Sequence, residues 1–336
     1  MRTVRKIVFP IVFCIVVLCI VLFFTGFNAP VDREGSSILF KIEHGEHLHE
    51  IAQRLEAAGM IRSELFFTNL VRISRSSKKV KSGVYDLHQG MRSTEVVRVI
   101  TMGIVSMEKF TIPEGLHIKQ VAGLLAEQGV VGEKEFVLAC SSERILQKYK
   151  IPFDSVEGFI FPDTYIVAKD LSAEQIVEIT IERFFEALKG VPLRDFSTEQ
   201  LKRIVIVASL VEKEVKLDEE RPLVAAVFYN RLDKGKRLEA CSTIQYILGK
   251  TKERLLYSDL KISSPYNTYL NGGLPPGPIA SPGLNSLRAA VQPADVDYLF
   301  FVSKNDGSHH FSSSYEEHLK AIERYGGAKR FMNHTS

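Results

Sequence analysis

Two glutamates and a tyrosine-bearing loop are the residues of this chain best suited to chemistry. Glu212 and Glu214 stand in Val211-Glu212-Lys213-Glu214, and about fifty residues later come Ser264-Pro265-Tyr266-Asn267-Thr268-Tyr269 and Gly272-Gly273-Leu274-Pro275-Pro276-Gly277-Pro278-Ile279. With prolines at 265, 275, 276 and 278, the second stretch cannot continue a helix or a central strand. It is predicted to be an ordered, stiffened loop that displays Tyr266, Asn267, Thr268 and Tyr269. Aromatic faces and amides are the groups with which a cleft holds sugar rings, and a nearby carboxyl is what cleavage of a glycosidic bond needs.

The acids close a helix that is apolar almost all round. Leu201, Ile204, Val205, Ile206, Val207, Ala208, Leu210, Val211 and Val215 leave it no polar face, so it is predicted to be buried. Acids at the end of such a helix sit at the edge of a core. Desolvation there raises a carboxyl pKa and favours the protonated form that a general acid must have. At about 100° per residue Glu212 and Glu214 lie about 160° apart around the axis, so both cannot line one cleft. Helical phase does not choose between them. The competing reading is a solvated helix end paired with Lys213, Lys216 or Arg221.

Further blocks surround these motifs in order. They are Glu157-Gly158-Phe159-Ile160-Phe161-Pro162-Asp163-Thr164-Tyr165, Ala208-Ser209-Leu210 before the acids, Phe228-Tyr229-Asn230-Arg231-Leu232, Tyr298-Leu299-Phe300-Phe301-Val302 and His310-Phe311. Taken together, they make a chain that resembles the endolytic murein transglycosylases, the YceG-like family of bacterial cell-wall enzymes, over nearly everything beyond residue 38. The resemblance implies that the second glutamate of Glu-Lys-Glu, Glu214, is catalytic. It also implies substrate-binding roles for Tyr266, Asn267, Thr268 and Tyr269, with Gln245, Asn230, Glu157 and Asp163 as further candidates, although an aspartate after a proline is also a common turn or cap residue.

A single supported carboxyl fits lytic transglycosylation, in which the muramyl 6-hydroxyl is the nucleophile, better than hydrolysis, which normally uses two carboxylates. The expected activity is cleavage of the bond between N-acetylmuramic acid and N-acetylglucosamine inside nascent strands, ending their elongation. No cofactor is expected. The alternatives are a non-catalytic, membrane-anchored glycan-binding scaffold of wall synthesis and a muramidase-type hydrolase. Where the family has threonine after Glu-Lys-Glu and aspartate-proline before a threonine-valine pair, this chain has Val215 and Cys241-Ser242 before Thr243-Ile244.

The elements that must position these residues begin with a repeat. Phe40, Ile42, Gly45, His47, Leu48, Ile51, Ala52, Leu55 and Gly59 recur at an offset of 70 as Phe110, Ile112, Gly115, His117, Ile118, Val121, Ala122, Leu125 and Gly129. Each copy reads as a short strand, a glycine turn and an amphipathic helix, and a weaker third copy runs through Tyr85, Leu87, Gly90, Val96, Val97 and Ile100. Units this short are expected to pack together. The first resembles the LysM-like module of the family, a type of glycan binder.

Beyond Glu157 helices are predicted at about 174–189, 197–216, 218–233, 240–249, 284–291 and 314–325, with strands near 110–112, 164–167 and 298–303. The fold class is α+β. The domain reading is a cytoplasmic N-terminus at 1–6, a transmembrane helix at 7–27, a linker at 28–38, a LysM-like domain at 39–108 and a catalytic domain at 109–336.

The membrane reading rests on Ile7–Phe24, an uncharged apolar run of 18 residues. At ~1.5 Å per residue it approaches the thickness of a bilayer core. Arg2, Arg5 and Lys6 precede it while Asp32, Arg33 and Glu34 nearly cancel after it, which keeps the N-terminus cytoplasmic and exports the rest. A cleaved signal peptide is the rival, but the run is long and no small-x-small site follows cleanly. Leu18 before Cys19 and Phe13 before Cys14 exclude a lipoprotein anchor. The chain is therefore expected at the inner membrane, single-pass, with the membrane, peptidoglycan strands and the wall synthases as partners.

With 43 basic and 40 acidic residues mixed along the chain, the net charge of +3 gives no nucleic acid a basic patch to bind. Cys140 and Cys241 are far enough apart in sequence that spacing cannot decide whether they pair. Ser209 and Lys213 share a helix face, as a Ser-Lys nucleophile pair would, but serine in so apolar a helix more often bonds its own backbone. His44, His47 and His49 straddle a glycine turn and lack a carboxylate at helical spacing, and His309 and His310 read as loop residues, so no metal is expected.

Overall fold

The computed structural model describes residues 23–325 apart from 75, 77, 78, 105, 170, 192–196, 251, 253 and 254. They form two compact units, one of residues up to Lys109 with Ile166–Asp170, the other of Phe110–Tyr165 with the residues from Leu171 onward. Both mix helices with short strands, as the α+β reading expects.

The first unit runs α1 (residues 23–28), β1 (Ser37–Ile42), α2 (Leu48–Ala57), α3 (Glu64–Ile73), β2 (Gly83–His88), α4 (Ser93–Met102) and the start of β3 (Met107–Thr111). Alternation in β1 sends Phe40 and Ile42 inward and Leu39 and Lys41 outward, the period of a half-buried strand. β1 pairs antiparallel with β2, from Ser37 opposite His88 to Ile42 opposite Gly83. Ile51, Ala52 and Leu55 of α2, Phe67 and Val71 of α3 and Val96 and Ile100 of α4 close the core over this ribbon.

The repeat is a repeat of backbone shape. Gly45 and Gly115 turn with φ of +82° and +76°, and Gly59 and Gly129 end their helices with φ of +69° and +72°, a region glycine enters without penalty. His47 and His117 are the N-caps of α2 and of α5 (Ile118–Glu127). The copies do not all pack together, however. The first and third share the first unit, while the second belongs to the other, where α5 packs on α6 (Glu133–Ala139) and α6 on α8 (Ala173–Leu188).

Most of the predicted membrane segment lies outside the described residues, and among those described no helix is long and apolar enough to cross a membrane. Its last turn is visible in α1. Phe23, Phe24 and Phe27 surround Phe66 of α3 with ring centroids 6.2, 5.3 and 6.1 Å away. The stretch read as a linker is pinned to the same unit. The Phe27 carbonyl accepts from Ser93 Oγ at 3.1 Å, Asn28 Oδ1 from the Thr94 N–H at 3.0 Å, and the Pro30 carbonyl from Arg62 at 2.7 and 2.9 Å.

The second unit is built on α9 (Thr198–Glu214). A capping box between Ser197 and Gln200 starts it, and Val215 stops it in extended conformation, φ −120°. Residues Ile204 to Val211 are all buried, as the apolar pattern predicts. Helices α10 (Arg221–Asp233) and α12 (Leu284–Val291) pack on α9 and on each other, and α11 (Cys241–Leu248) packs on α9. A further helix, α7 (Glu143–Tyr149), lies against α8, and β4 (Thr164–Ala168) pairs with β3.

At the C-terminal side β5 (Phe300–Ser303) and β6 (His309–Ser312) form a hairpin on which α13 (Tyr315–Tyr325) rests. His309 and His310, expected in a loop, are strand residues opposite Ser303 and Val302. The hairpin turn is tighter than that reading allowed, because Asn305 and Gly307 take φ of +68° and +95°.

Candidate active site

Three consecutive side chains at the end of α9 point to three different places. Glu212 Oε2 accepts from the Gly283 N–H at 2.9 Å and from Arg221 Nη1 at 3.2 Å. Both side chains of this ion pair are buried, and Arg221 is also bonded to Asp218 at 2.7 Å. Lys213 Nζ donates to the Gly115 carbonyl at 2.9 Å. Glu214, half-buried, accepts through Oε1 from the Ser242 N–H at 3.2 Å. That N–H lies in the first turn of α11, where unpaired N–H groups and the helix dipole favour an anion. Among the described residues Glu214 has no ion pair, so its carboxyl remains the available one while Glu212 is neutralised inside the protein.

Tyr269 stands on the same side of the site. Its hydroxyl lies 3.1 Å from Cys241 Sγ. Burial, followed by the neighbouring Cys241 and Glu214, drives the Tyr269 pKa far up and keeps the phenol a neutral donor. Cys241 forms no disulfide, and neither does the buried Cys140.

The loop from 264 to 271 is ordered by its own side chains rather than by proline alone. Asn267 Nδ2 donates to the carbonyls of Leu260 and Ile262 at 2.9 and 2.8 Å, and its Oδ1 accepts from the Tyr269 N–H at 2.9 Å. Thr268 Oγ1 accepts from the Ala240 N–H at 3.0 Å and lies 3.0 Å from Thr243 Oγ1, tying the loop to the start of α11. Asn267 and Thr268 are therefore buried, at 0% and 1% exposure, instead of displayed. Tyr266 and Tyr269 are half-buried.

Glu157 is a second unusual carboxyl. It is buried, and its two oxygens accept from the Ile118 N–H, in the first turn of α5, at 3.2 and 3.1 Å. Burial pushes its pKa up to about 8, although hydrogen bonds from the Ile118 and Gly158 N–H groups and from Tyr246 act to lower it. Tyr246 follows Ser242 by one helical turn on α11. Its ring lies 5.0 Å from that of Tyr266 and 5.9 Å, edge to face, from His117. The His117 pKa is lowered by burial and by the charges of Lys213 and Lys119.

The structure thus gathers Glu214, Tyr269, Thr268, Tyr266 and Glu157 around the two ends of α11. Tyr246 and His117, which sequence reasoning missed, belong with them; a tyrosine one turn from a serine on a short helix carries no signal of its own.

Three predicted residues are engaged elsewhere. Gln245 holds both backbone groups of Lys252, at 2.8 and 2.7 Å. Asn230 donates to the carbonyls of Val296 and Tyr298 at 2.8 and 3.0 Å. Asp163 receives the Thr164 N–H at 2.7 Å and Arg183 Nε at 2.7 Å, the turn-capping alternative for an aspartate after proline. Ser209 donates to the Ile206 carbonyl at 2.7 Å and accepts from the Ile279 N–H at 3.1 Å, which separates it from Lys213. No group of three or more potential metal ligands is found among the described residues. His309 is bound to Glu220 through Nδ1 at 2.7 Å and through its N–H at 2.8 Å, which fastens the hairpin to the start of α10.

Comparison with known proteins covers both units. The YceG-like family model matches residues 40–324. A Bacillus subtilis (strain 168) protein named endolytic murein transglycosylase is 32% identical over 320 residues, 89% of this chain and 88% of that protein. Proteins of the same name from Streptococcus pneumoniae strains D39 and R6 are 27% identical over 338 residues, and there the alignment spans 60% of their length. The crystal structure of a YceG-like protein from Listeria monocytogenes superposes with a TM-score of 0.56 at 30% identity, covering 85% of this chain and 99% of that one. With the family's pattern running through nearly the whole described chain, this chain belongs to the YceG-like family.

Proposed function

We propose that the chain is an endolytic lytic transglycosylase of peptidoglycan. It cuts the bond between N-acetylmuramic acid and N-acetylglucosamine within nascent strands and so ends their elongation. Glu214 gives its proton to the glycosidic oxygen as the bond from C1 breaks. The same carboxylate then takes the proton of the muramyl 6-hydroxyl as O6 bonds to C1, leaving a 1,6-anhydro end and consuming no water. The observation that carries this reading is the division of labour at the end of α9, where Glu212 is tied to Arg221 while Glu214 faces the first turn of α11 and has no ion-pair partner among the described residues. The name shared by its relatives supports it.

In this reading Tyr269 and Tyr266 line the sugar subsites, while Asn267 and Thr268 act by holding the loop. Residues 109–336 are the catalytic domain. The strand-helix-helix-strand order of 37–88 supports a LysM-like, glycan-facing module within 39–108. Residues 7–27 anchor the chain as a single span, with 1–6 cytoplasmic, 28–38 as the connection and the rest beyond the inner membrane, beside the synthases whose product it cuts.

Paired variants test the assignment. Glu214→Gln keeps the acceptor for the Ser242 N–H but cannot donate the proton, and is expected to lose about 10²–10⁴-fold in turnover with its thermal midpoint unchanged. Glu212→Gln is expected to do the reverse, lowering stability by roughly 3 kcal/mol as buried Arg221 loses a partner, with turnover per folded molecule kept. An active Glu214→Gln enzyme would remove the residue from the mechanism.

A further inference from the structure

Helix α3 carries a face whose large aliphatic side chains stand largely uncovered by the described residues of the first unit. Leu65 and Ile73 are 72% and 80% exposed, among the most exposed large aliphatic side chains in the described protein. Asn69 lies between them in helical projection, and next to Ile73, at the edge of the face, is Phe66, which is buried under Phe23, Phe24 and Phe27 of α1. At about 100° per residue Leu65, Phe66, Asn69, Arg72 and Ile73 fall in one sector of about 120°. Single exposed leucines are ordinary. Here the exposed pair lies beside Phe66, on which the end of the 18-residue apolar run, Ile7–Phe24, packs.

The charge of this face has one sign. Arg72 on the face and Lys79 just beyond the helix are exposed. The acid of the helix, Glu64, is mostly covered and bound to His49 at 2.7 Å. The connection from α1 is also fixed in place, because Asn28, Pro30 and Ser36 are hydrogen-bonded to Thr94, Arg62 and Gln89. Where the apolar run enters a bilayer, the face of α3 is held at the level of the headgroups.

We propose that this face of α3 is a membrane-docking surface, with Leu65 and Ile73 seated at the headgroup boundary and Arg72 and Lys79 on anionic phospholipid. It rests on the reading of 7–27 as the anchor. An amphipathic face of this kind binds through buried apolar area together with attraction to anionic lipid. The occupant is lipid rather than a protein partner because the apolar run that must enter the bilayer ends on this same face.

The chain contains no tryptophan, so Leu65→Trp and Ile73→Trp each install a unique fluorophore. Each full-length variant is reconstituted into vesicles of phosphatidylglycerol brominated high on the acyl chains, and into matched phosphatidylcholine vesicles, and vesicles floated through alkaline carbonate are measured. Insertion by ~5–10 Å places the indole beside the bromines, so it is expected to lose roughly half of its emission in phosphatidylglycerol. Adding Arg72→Glu and Lys79→Glu is expected to relieve that quenching. Protein washed from the vesicles would overturn the anchor and this surface with it. Protein that floats with an unquenched, water-like emission would overturn the docking surface alone, and quenching that ignores both lipid charge and the charge reversals would overturn the role of Arg72 and Lys79.

Discussion

Glu157 carries the clearest pH signature of any single side chain. Its folded-state pKa of about 8 stands above the ordinary value of 4.5, so the folded protein holds that proton more tightly than the unfolded chain. The contribution to stability is complete below about pH 4.5, declines as the pH rises and is gone once the pH has passed 8, where both states have released the proton. Unfolding midpoints measured between pH 4.5 and 9 are expected to fall through this window, and Glu157→Gln is expected to flatten the fall by an amount on the order of a few kcal/mol. Equal slopes for the two proteins would mean that Glu157 is not the group that titrates. The sequence placed Glu157 in a shared block but gave no hint of this burial, because its partner is the backbone of Ile118, thirty-nine residues away. Helical phase did separate Glu212 from Glu214, and the structure sends the two to Gly283 and Ser242 as that phase requires. Asn267 was the misleading residue. A polar side chain between proline and aromatic residues reads as displayed, yet asparagine also bonds its own turn, and that tendency prevailed.

Among the elements, the loop from 264 to 271 depends on Asn267 more than on its prolines. Asn267→Ala leaves the Leu260 and Ile262 carbonyls and the Tyr269 N–H without their partner. A cost of about 2–4 kcal/mol is expected, with activity reduced by displacement of Tyr269 rather than by loss of a contact to substrate. Faster amide exchange at residues 260–271 in the variant would report that displacement, and unchanged exchange with lost activity would instead argue that Asn267 touches substrate. The long helices were legible because their apolar periodicity is strong, as in α9, whose buried stretch follows the pattern residue by residue. The hairpin of β5 and β6 was only half legible. Its first strand was visible in Phe300-Phe301-Val302, but paired histidines beside a glycine looked like loop until Glu220 was seen to hold His309 from another part of the chain.

At the scale of the whole molecule, the segment that precedes residue 37 is more than a flexible tether to the first unit. α1 covers Phe66, and Asn28 satisfies the Thr94 N–H at the start of α4. A chain beginning at residue 23 is expected to keep the thermal midpoint of this unit, whereas one beginning at residue 37 is expected to lose ~2–4 kcal/mol from it by uncovering Phe66 and the Arg62 and Thr94 donors. Scanning calorimetry of the two truncations would measure the difference, and identical midpoints would mean that α1 rests on the unit without stabilising it. That packing was not legible because the segment from Asn28 to Ser37 shows no periodicity, and Pro30, Asp32 and Ser36 bond the unit through backbone groups. The central claim concerns chemistry, and the products decide it. Mass spectrometry of glycan strands digested by the purified enzyme is predicted to find 1,6-anhydromuramic acid at the muramyl end of every cut, and about 10²–10⁴-fold fewer cuts with Glu214→Gln; free reducing ends alone would contradict the account and make the enzyme a hydrolase.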